Sequence, residues 1–267
     1  MSAAWSQDAQ GRPTLDLRAE GALHRPVLDD LPDLTPEERA MAVRTWRGRM
    51  VNEHASAQVF AGLVPQMMRA ALPGALQAEV PGMIADEYRH ARQCAGVVLA
   101  LGGDPVAPLP TIQALPEHAD VSPLEAVLRN VISVGCLSET VAVSVIRAEH
   151  AELEGTTLGG VLATILADEV QHARFGWKLL GMLAPRLDAD ARARTSRYLV
   201  DALRHQIAWE VPKLPVNLGL RAELAMAGVC DGAQARELFF ATIGEVVVPQ
   251  LEAAGLDGRA AWAAAQA

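Results

Sequence analysis

Aromatic residues are scarce, 4% of a chain that is 51% hydrophobic. Against abundant Ala, Leu, Val and Glu, that scarcity argues against an aromatic-rich β-sandwich and for helices packed on helices. Cationic residues are in the minority too, 23 Lys and Arg against 32 Asp and Glu for a formal charge of −9. A broad phosphate-binding surface is therefore not expected, and nucleic acid is not expected as a partner. Cys94, Cys136 and Cys230 are widely spaced and form no CxxC, so they suggest neither a disulfide framework nor a zinc or rubredoxin-type site. They read as buried thiols in a reducing compartment. No apolar run is expected to reach the ~20 residues that span a bilayer, and the N-terminal stretch is too polar for a signal peptide. The expectation is a cytoplasmic protein with no membrane partner. A Gly-rich phosphate loop and a GxSxG turn are both missing, which removes the simplest nucleotide-binding and hydrolase readings.

What is present organises as one large all-α domain, since 267 residues suffice for one sizeable core. Residues 1–34 lack a clear hydrophobic period and read as a loosely structured arm, with Trp5, Leu15 and Leu17 as candidate pins. Thr35-Pro36-Glu37-Glu38 is a helix start, with a Thr cap, Pro in the first turn and Glu placed to close a capping box. The helix from it should run from about 36 to about 71, with Pro65 near its end, and a second should follow Leu72-Pro73-Gly74 as far as Leu101. Residues 103–121 form a Pro-rich connection that reaches ~60 Å when extended, enough to cross a bundle. Ser122-Pro123-Leu124-Glu125 repeats the start signal for a helix to Glu154, and a fourth should run from about 157 to Ala184. Two long hairpins joined by a crossover make a four-helix bundle. Further helices are expected over about 189–210 and 233–254.

One octet is written twice. ADEYRHAR at 85–92 and ADEVQHAR at 167–174 agree at six of eight positions. In a helix, residues three apart lie within ~60° around the axis and ~4.5 Å along it, so Glu87 and His90 can approach one point, as can Glu169 and His172. A single such pair is common on solvated helices; two near-identical ones, one per hairpin, suggest a shared site. The first helix of each hairpin offers a matching carboxylate, Glu53 and Glu139, each flanked by small or apolar residues. Four carboxylates in a core would repel one another and lose their hydration unless cations or protons compensated them. Two divalent metals would do so, and mixed carboxylate and imidazole donors suit iron or manganese.

These six residues, Glu53, Glu87-x-x-His90, Glu139 and Glu169-x-x-His172, resemble the ligand pattern of the ferritin-like di-iron carboxylate superfamily over about residues 36–184. The resemblance implies a ferritin-like four-helix bundle over 35–185, with the long crossover between its second and third helices. The arm (1–34) and the C-terminal helices (186–267) would pack on it. It implies two iron ions, with manganese or a mixed Mn/Fe pair as alternatives. His90 and His172 would bind one ion each, with Glu87 and Glu169 bridging and Glu53 and Glu139 terminal. It also implies that Asp86 and Asp168 accept hydrogen bonds from the ligand histidines on the opposite helix, which a metal-bound imidazole needs for orientation.

The activity implied is a non-haem di-iron oxidase or oxygenase that activates O₂ to oxidise a small organic molecule. Electrons would come from a ferredoxin or flavin reductase, and a homodimer is an assembly it allows. Ferroxidase iron handling and a di-manganese catalase or peroxidase are the alternatives. Candidate cavity residues are Ser56, Ala57, Phe60, Cys136, Ala142, Val143 and Phe175, small or aromatic side chains within about two turns of the ligands. Three departures from subfamilies stand out: Ala142 and Val143 occupy the place where monooxygenases and desaturases carry threonine, Ile165 that of an extra N-oxygenase histidine, and no rubrerythrin-like cysteine-bound iron domain is present. The closing arginines of the octets, Arg92 and Arg174, read as surface ion pairs.

Overall fold

A computed structural model describes residues 6–109, 114–214 and 221–267; Trp5 lies outside them. It is 73% helix with little sheet. In chain order the elements are β1 (Thr14–Asp16), α1 (Arg18–Ala22), α2 (Pro36–Arg69), α3 (Gly74–Gln77), α4 (Val80–Ala100), β2 (Val106–Pro108) and α5 (Pro123–Val131). There follow α6 (Glu139–Glu152), α7 (Thr157–Leu183), α8 (Ala189–Glu210), α9 (Ala222–Ala225), α10 (Gly232–Thr242), α11 (Val248–Ala253) and α12 (Gly258–Gln266).

Local chemistry explains the starts. Thr35 Oγ1 accepts from Glu38 N at 3.2 Å while Glu38 Oε2 accepts from Thr35 N at 2.8 Å, the reciprocal box read from the sequence. Ser122 Oγ likewise accepts from Glu125 N, but the Glu125 carboxylate turns away to Arg129 and Arg194. Thr156 and Asp188 cap α7 and α8 in the same way.

Four rods surround the site: α2, α4, α7, and the rod that runs from α5 into α6. Lys178 pairs with Glu79, and His90 with Asp168, so α4 and α7 run antiparallel. Asn130 bonds Gln66, and Glu149 bonds Arg49, so α2 and the α5–α6 rod are antiparallel too. With short turns closing α2 to α4 and α6 to α7, α4 and α6 run parallel, which is what the long connection makes sterically possible. Fully buried Trp46, Met50, Phe60, Leu63 and Met67 pin α2, each worth ~1.5–3 kcal/mol of transfer free energy. Leu199, Leu203, Phe239, Ile243 and Leu251 from the C-terminal helices share one buried cluster with Phe60, Leu137 and Phe175.

Four sequence expectations need correction. The arm is ordered over its described part: β1 pairs antiparallel with β2, Leu15 opposite Ala107, and Leu15 is buried. Beyond it Gly21 of α1 meets Ala95 of α4 so closely that a Cβ would lie 2.8 Å from the Ala95 Cβ. The second helix begins at Val80, preceded by the separate turn α3. A last helix, α12, follows Gly255, whose φ of 77° ends the preceding helix. Finally, Pro123–Glu152 is long and apolar enough to cross a membrane by length and composition, contrary to the expectation that no run would be. Just over half of its most apolar stretch, 56%, is buried inside the bundle, and Glu125, Arg129, Glu139 and Glu149 are buried along the same rod.

The rod α5–α6 is continuous but not uniformly α-helical. Ile132–Ser138 is π-helical and ends at Glu139. Gly135 is the sequence feature that accompanies it: its Cβ, if present, would lie 2.7 Å from the Gly176 Cα of α7. Bringing two helices that close takes glycine on both sides, and the widened turn gives the backbone room. Ser138 Oγ donates to Ser133 O at 3.1 Å, satisfying a carbonyl within the altered ladder.

Candidate metal centre

Each rod contributes a carboxylate at one level: Glu53 from α2, Glu87 from α4, Glu139 from α6 and Glu169 from α7. His90 and His172 stand one turn beyond Glu87 and Glu169. The six residues form two groups of four donors, Glu53–Glu87–His90–Glu169 and Glu87–Glu139–Glu169–His172, each with its donor atoms within 4.8 Å of one another. Glu87 and Glu169 belong to both groups. Glu87, His90, Glu139, Glu169 and His172 are buried, and Glu53 keeps 14% side-chain exposure.

Both imidazoles present Nδ1 to the carboxylates. His90 Nδ1 lies 3.3 Å from Glu53 Oε2 and 3.3 Å from Glu169 Oε1. His172 Nδ1 lies 3.2 Å from Glu87 Oε1, 3.4 Å from Glu169 Oε2 and 3.8 Å from Glu139 Oε2, yet makes no directed hydrogen bond with any of them. Glu139 Oε2 is likewise buried without a partner. Donors that converge on one point without satisfying each other are the arrangement a cation completes. An oxygen-rich set with one imidazole per group could hold a divalent cation.

The opposite ring nitrogens are held from across the bundle. His90 Nε2 is 3.0 Å from Asp168 Oδ2, and His172 Nε2 is 3.4 Å from Asp86 Oδ2. The Arg89 guanidinium joins the two aspartates, 2.6 Å from Asp168 Oδ2 and 2.8 Å from Asp86 Oδ1. Sequence reasoning passed over Arg89, although the two octets differ there, with Gln171 in the equivalent place. Contrary to the surface ion pairs expected of them, Arg92 and Arg174 pair with no carboxylate among the described residues.

Electrostatics follow from crowding. Burial raises the Glu87 and Glu139 carboxyls well above the usual range, and neighbouring carboxylates add to it. Burial acts against the charge of His90, but Glu169 and Glu53 outweigh it and push that ring up to about 11. His172 is raised by Glu139, Glu169 and Glu87 in the same way, whereas burial acts against the charge of Glu169 but the adjacent His172 and His90 rings outweigh it and lower that carboxyl.

A cavity of about 330 Å³ lies in the groove between α2 and α6, with Glu53, Glu87, Glu139 and Glu169 in its wall. Of the expected cavity residues, Ser56, Phe60 and Ala142 line it. Ala57, Cys136, Val143 and Phe175 do not. The lining faces include the residues three beyond Glu53 and Glu139, so the residues four beyond, Ala57 and Val143, turn aside. Cys136 was placed one regular turn before Glu139, and the π segment removes that regularity. It is fully buried in the core, as Phe175 nearly is. Phe60 also stacks edge-on against His172, with centroids 5.3 Å apart. Trp209, Glu210, Lys213 and Phe239 close the cavity from the C-terminal helices, a contribution not legible in the sequence pattern. The three cysteines are free thiols, and none belongs to either donor group.

Neither a protein-family model nor a curated protein matches this chain.

Proposed function

We propose that the protein is a ferritin-like di-metal oxidoreductase, holding two iron ions, or manganese in one or both places, and using O₂ to oxidise a small organic molecule. The observation that carries this reading is the pair of four-donor groups sharing Glu87 and Glu169, set in the wall of a cavity. His90 and His172 would each hold one ion through Nδ1, with Glu53 and Glu139 at the outer ends. The bound pair would supply redox chemistry toward O₂ that no side chain here possesses. The protein's part is to hold and shield it. Asp168 and Asp86 would accept hydrogen bonds from Nε2–H of His90 and His172, keeping that proton on the outer nitrogen and each Nδ1 lone pair facing inward. Arg89 fixes both aspartates. Val59, Phe60, Val141 and Phe239 give the cavity apolar walls beside the carboxylates and would limit water there. The cavity favours an organic substrate over iron itself, and electrons would come from an external ferredoxin or flavin reductase.

Anaerobic Fe(II) titration, followed by O₂ addition with optical detection, tests this reading. The expected result is two ions per chain and an O₂-dependent spectral change. Fewer than two sites would overturn it.

A further inference from the structure

The cavity is not uniformly apolar along its length. Arg49 of α2 stands four residues before Glu53, about 6 Å along the helix axis, so it borders the end of the groove next to the carboxylates, together with Ile146. At the other end the walls are Phe60, Val134 and Phe239. Arg49 and Lys213 are the cationic side chains among the described lining residues. Lys213 sits at the surface, 4.1 Å above the Trp209 ring and 3.5 Å from Glu210 Oε1. Arg49 is deep, with 18% side-chain exposure.

The hydrogen bonding of Arg49 is incomplete. Its Nη2 donates to Glu149 Oε1, and the guanidinium lies 5.3 Å from the Trp46 ring centroid. Nε is buried without a partner, and Glu149 Oε2 is too. A purely structural Arg–carboxylate pair in a core gains most from the two-pronged geometry that satisfies both groups. Here the pair is single-pronged, and the Arg49 side chain also lines an open volume. An anion entering the groove would find a guanidinium at one end and apolar walls beyond it.

Resting on the di-metal reading above, we propose that the substrate is a small organic carboxylate. Its anionic group pairs with Arg49, and its hydrocarbon part lies over the Glu53–Glu139 level toward Phe60 and Phe239. Two divalent ions would balance four glutamates in charge, so the occupied centre would not repel such an anion. The volume of about 330 Å³ restricts the occupant to the small end of ligand size. Arg49 is then a specificity-determining residue, and the site discriminates an acid from the matching alcohol.

The test is calorimetric binding of octanoate and of 1-octanol to purified full-length chain, loaded with Zn(II) and assayed separately for metal content. Octanoate should bind more tightly than octanol. Arg49→Gln/Glu149→Gln, which exchanges the buried pair for neutral groups of similar shape, should weaken octanoate about tenfold or more and leave octanol unchanged. Arg49→Lys should recover part of the octanoate affinity, since a point charge replaces the fork. Equal affinity for acid and alcohol, or undiminished octanoate binding in the double variant with its melting temperature retained, would overturn the proposal. If Zn(II) does not bind, the di-metal reading fails on that measurement alone, and the change in octanoate affinity between the parent chain and the double variant, both metal-free, still decides the role of Arg49, because the glutamates are common to both.

Discussion

His90 and Asp168 face each other across α4 and α7, imidazole Nε2 to carboxylate Oδ2 at 3.0 Å. The contact fixes which ring nitrogen meets the glutamates. Asp86 holds His172 at the longer distance of 3.4 Å, and Arg89 ties the two aspartates together. Asp168→Asn should therefore weaken metal binding by about 10–100-fold, the usual effect of losing such a support. Asp86→Asn should weaken it less. Arg89→Gln should loosen both histidines, and competition against a chelator of known affinity would rank the three.

Sharing makes the glutamates unequal. Glu169→Ala removes a donor common to both groups and should reduce stoichiometry from two ions to one or none. Glu53→Ala removes a donor from the His90 group alone and should leave one ion at the His172 end. Metal analysis after gel filtration separates these outcomes. Equal losses in both variants would contradict the sharing.

Protonation opposes metal binding in this core. The folded pKa of His90, about 11, lies above its ordinary value of 6.5. The stability that ring contributes to the metal-free fold is fully present below pH 6.5 and is lost as pH rises through about 11. A metal must displace its proton, so affinity should increase with pH across the neutral range, with protons released on binding. Titration calorimetry in buffers of differing ionisation enthalpy measures that release. A pH-independent affinity would show that the imidazoles do not bind the ion.

Close backbone approach at the π segment gives a stability test outside the ligands. Gly176→Ala would put a Cβ 2.4 Å from Gly135 C. With no flexible side chain to yield, the helices must separate, and urea unfolding should show a loss of about 1–3 kcal/mol. Because Glu139 directly follows the π segment, the variant should also weaken the ion at the His172 end.

Much of this site could be read from one dimension. The repeated Glu-x-x-His spacing works because the helical period is local: three residues along a helix are neighbours whatever surrounds it. Thr35 to Glu38 announced a helix start for the same reason, since both bonds of the box close within one turn. The arm was harder, because Thr14–Asp16 has no period of its own and becomes a strand only through Val106–Pro108, far along the chain. Arg89 was hidden similarly: its partner Asp168 lies on another helix. Cys136 was misplaced by assuming an unbroken α-helical face where the backbone is a π turn, and Val143 because the lining face of α6 runs through Ala142 instead.

The sequence by itself determined that the chain is helical, where its main helices start, and which four glutamates and two histidines stand at matching depth. Each of those properties depends on contacts within a turn or two of one helix. Tertiary structure alone decided that the six converge as two groups sharing Glu87 and Glu169, that Nδ1 faces inward, and that the groove between α2 and α6 stays open with Arg49 beside it. Those outcomes depend on how separate helices rotate and approach, which is set by the packing of the whole core and the contact of Gly135 on Gly176.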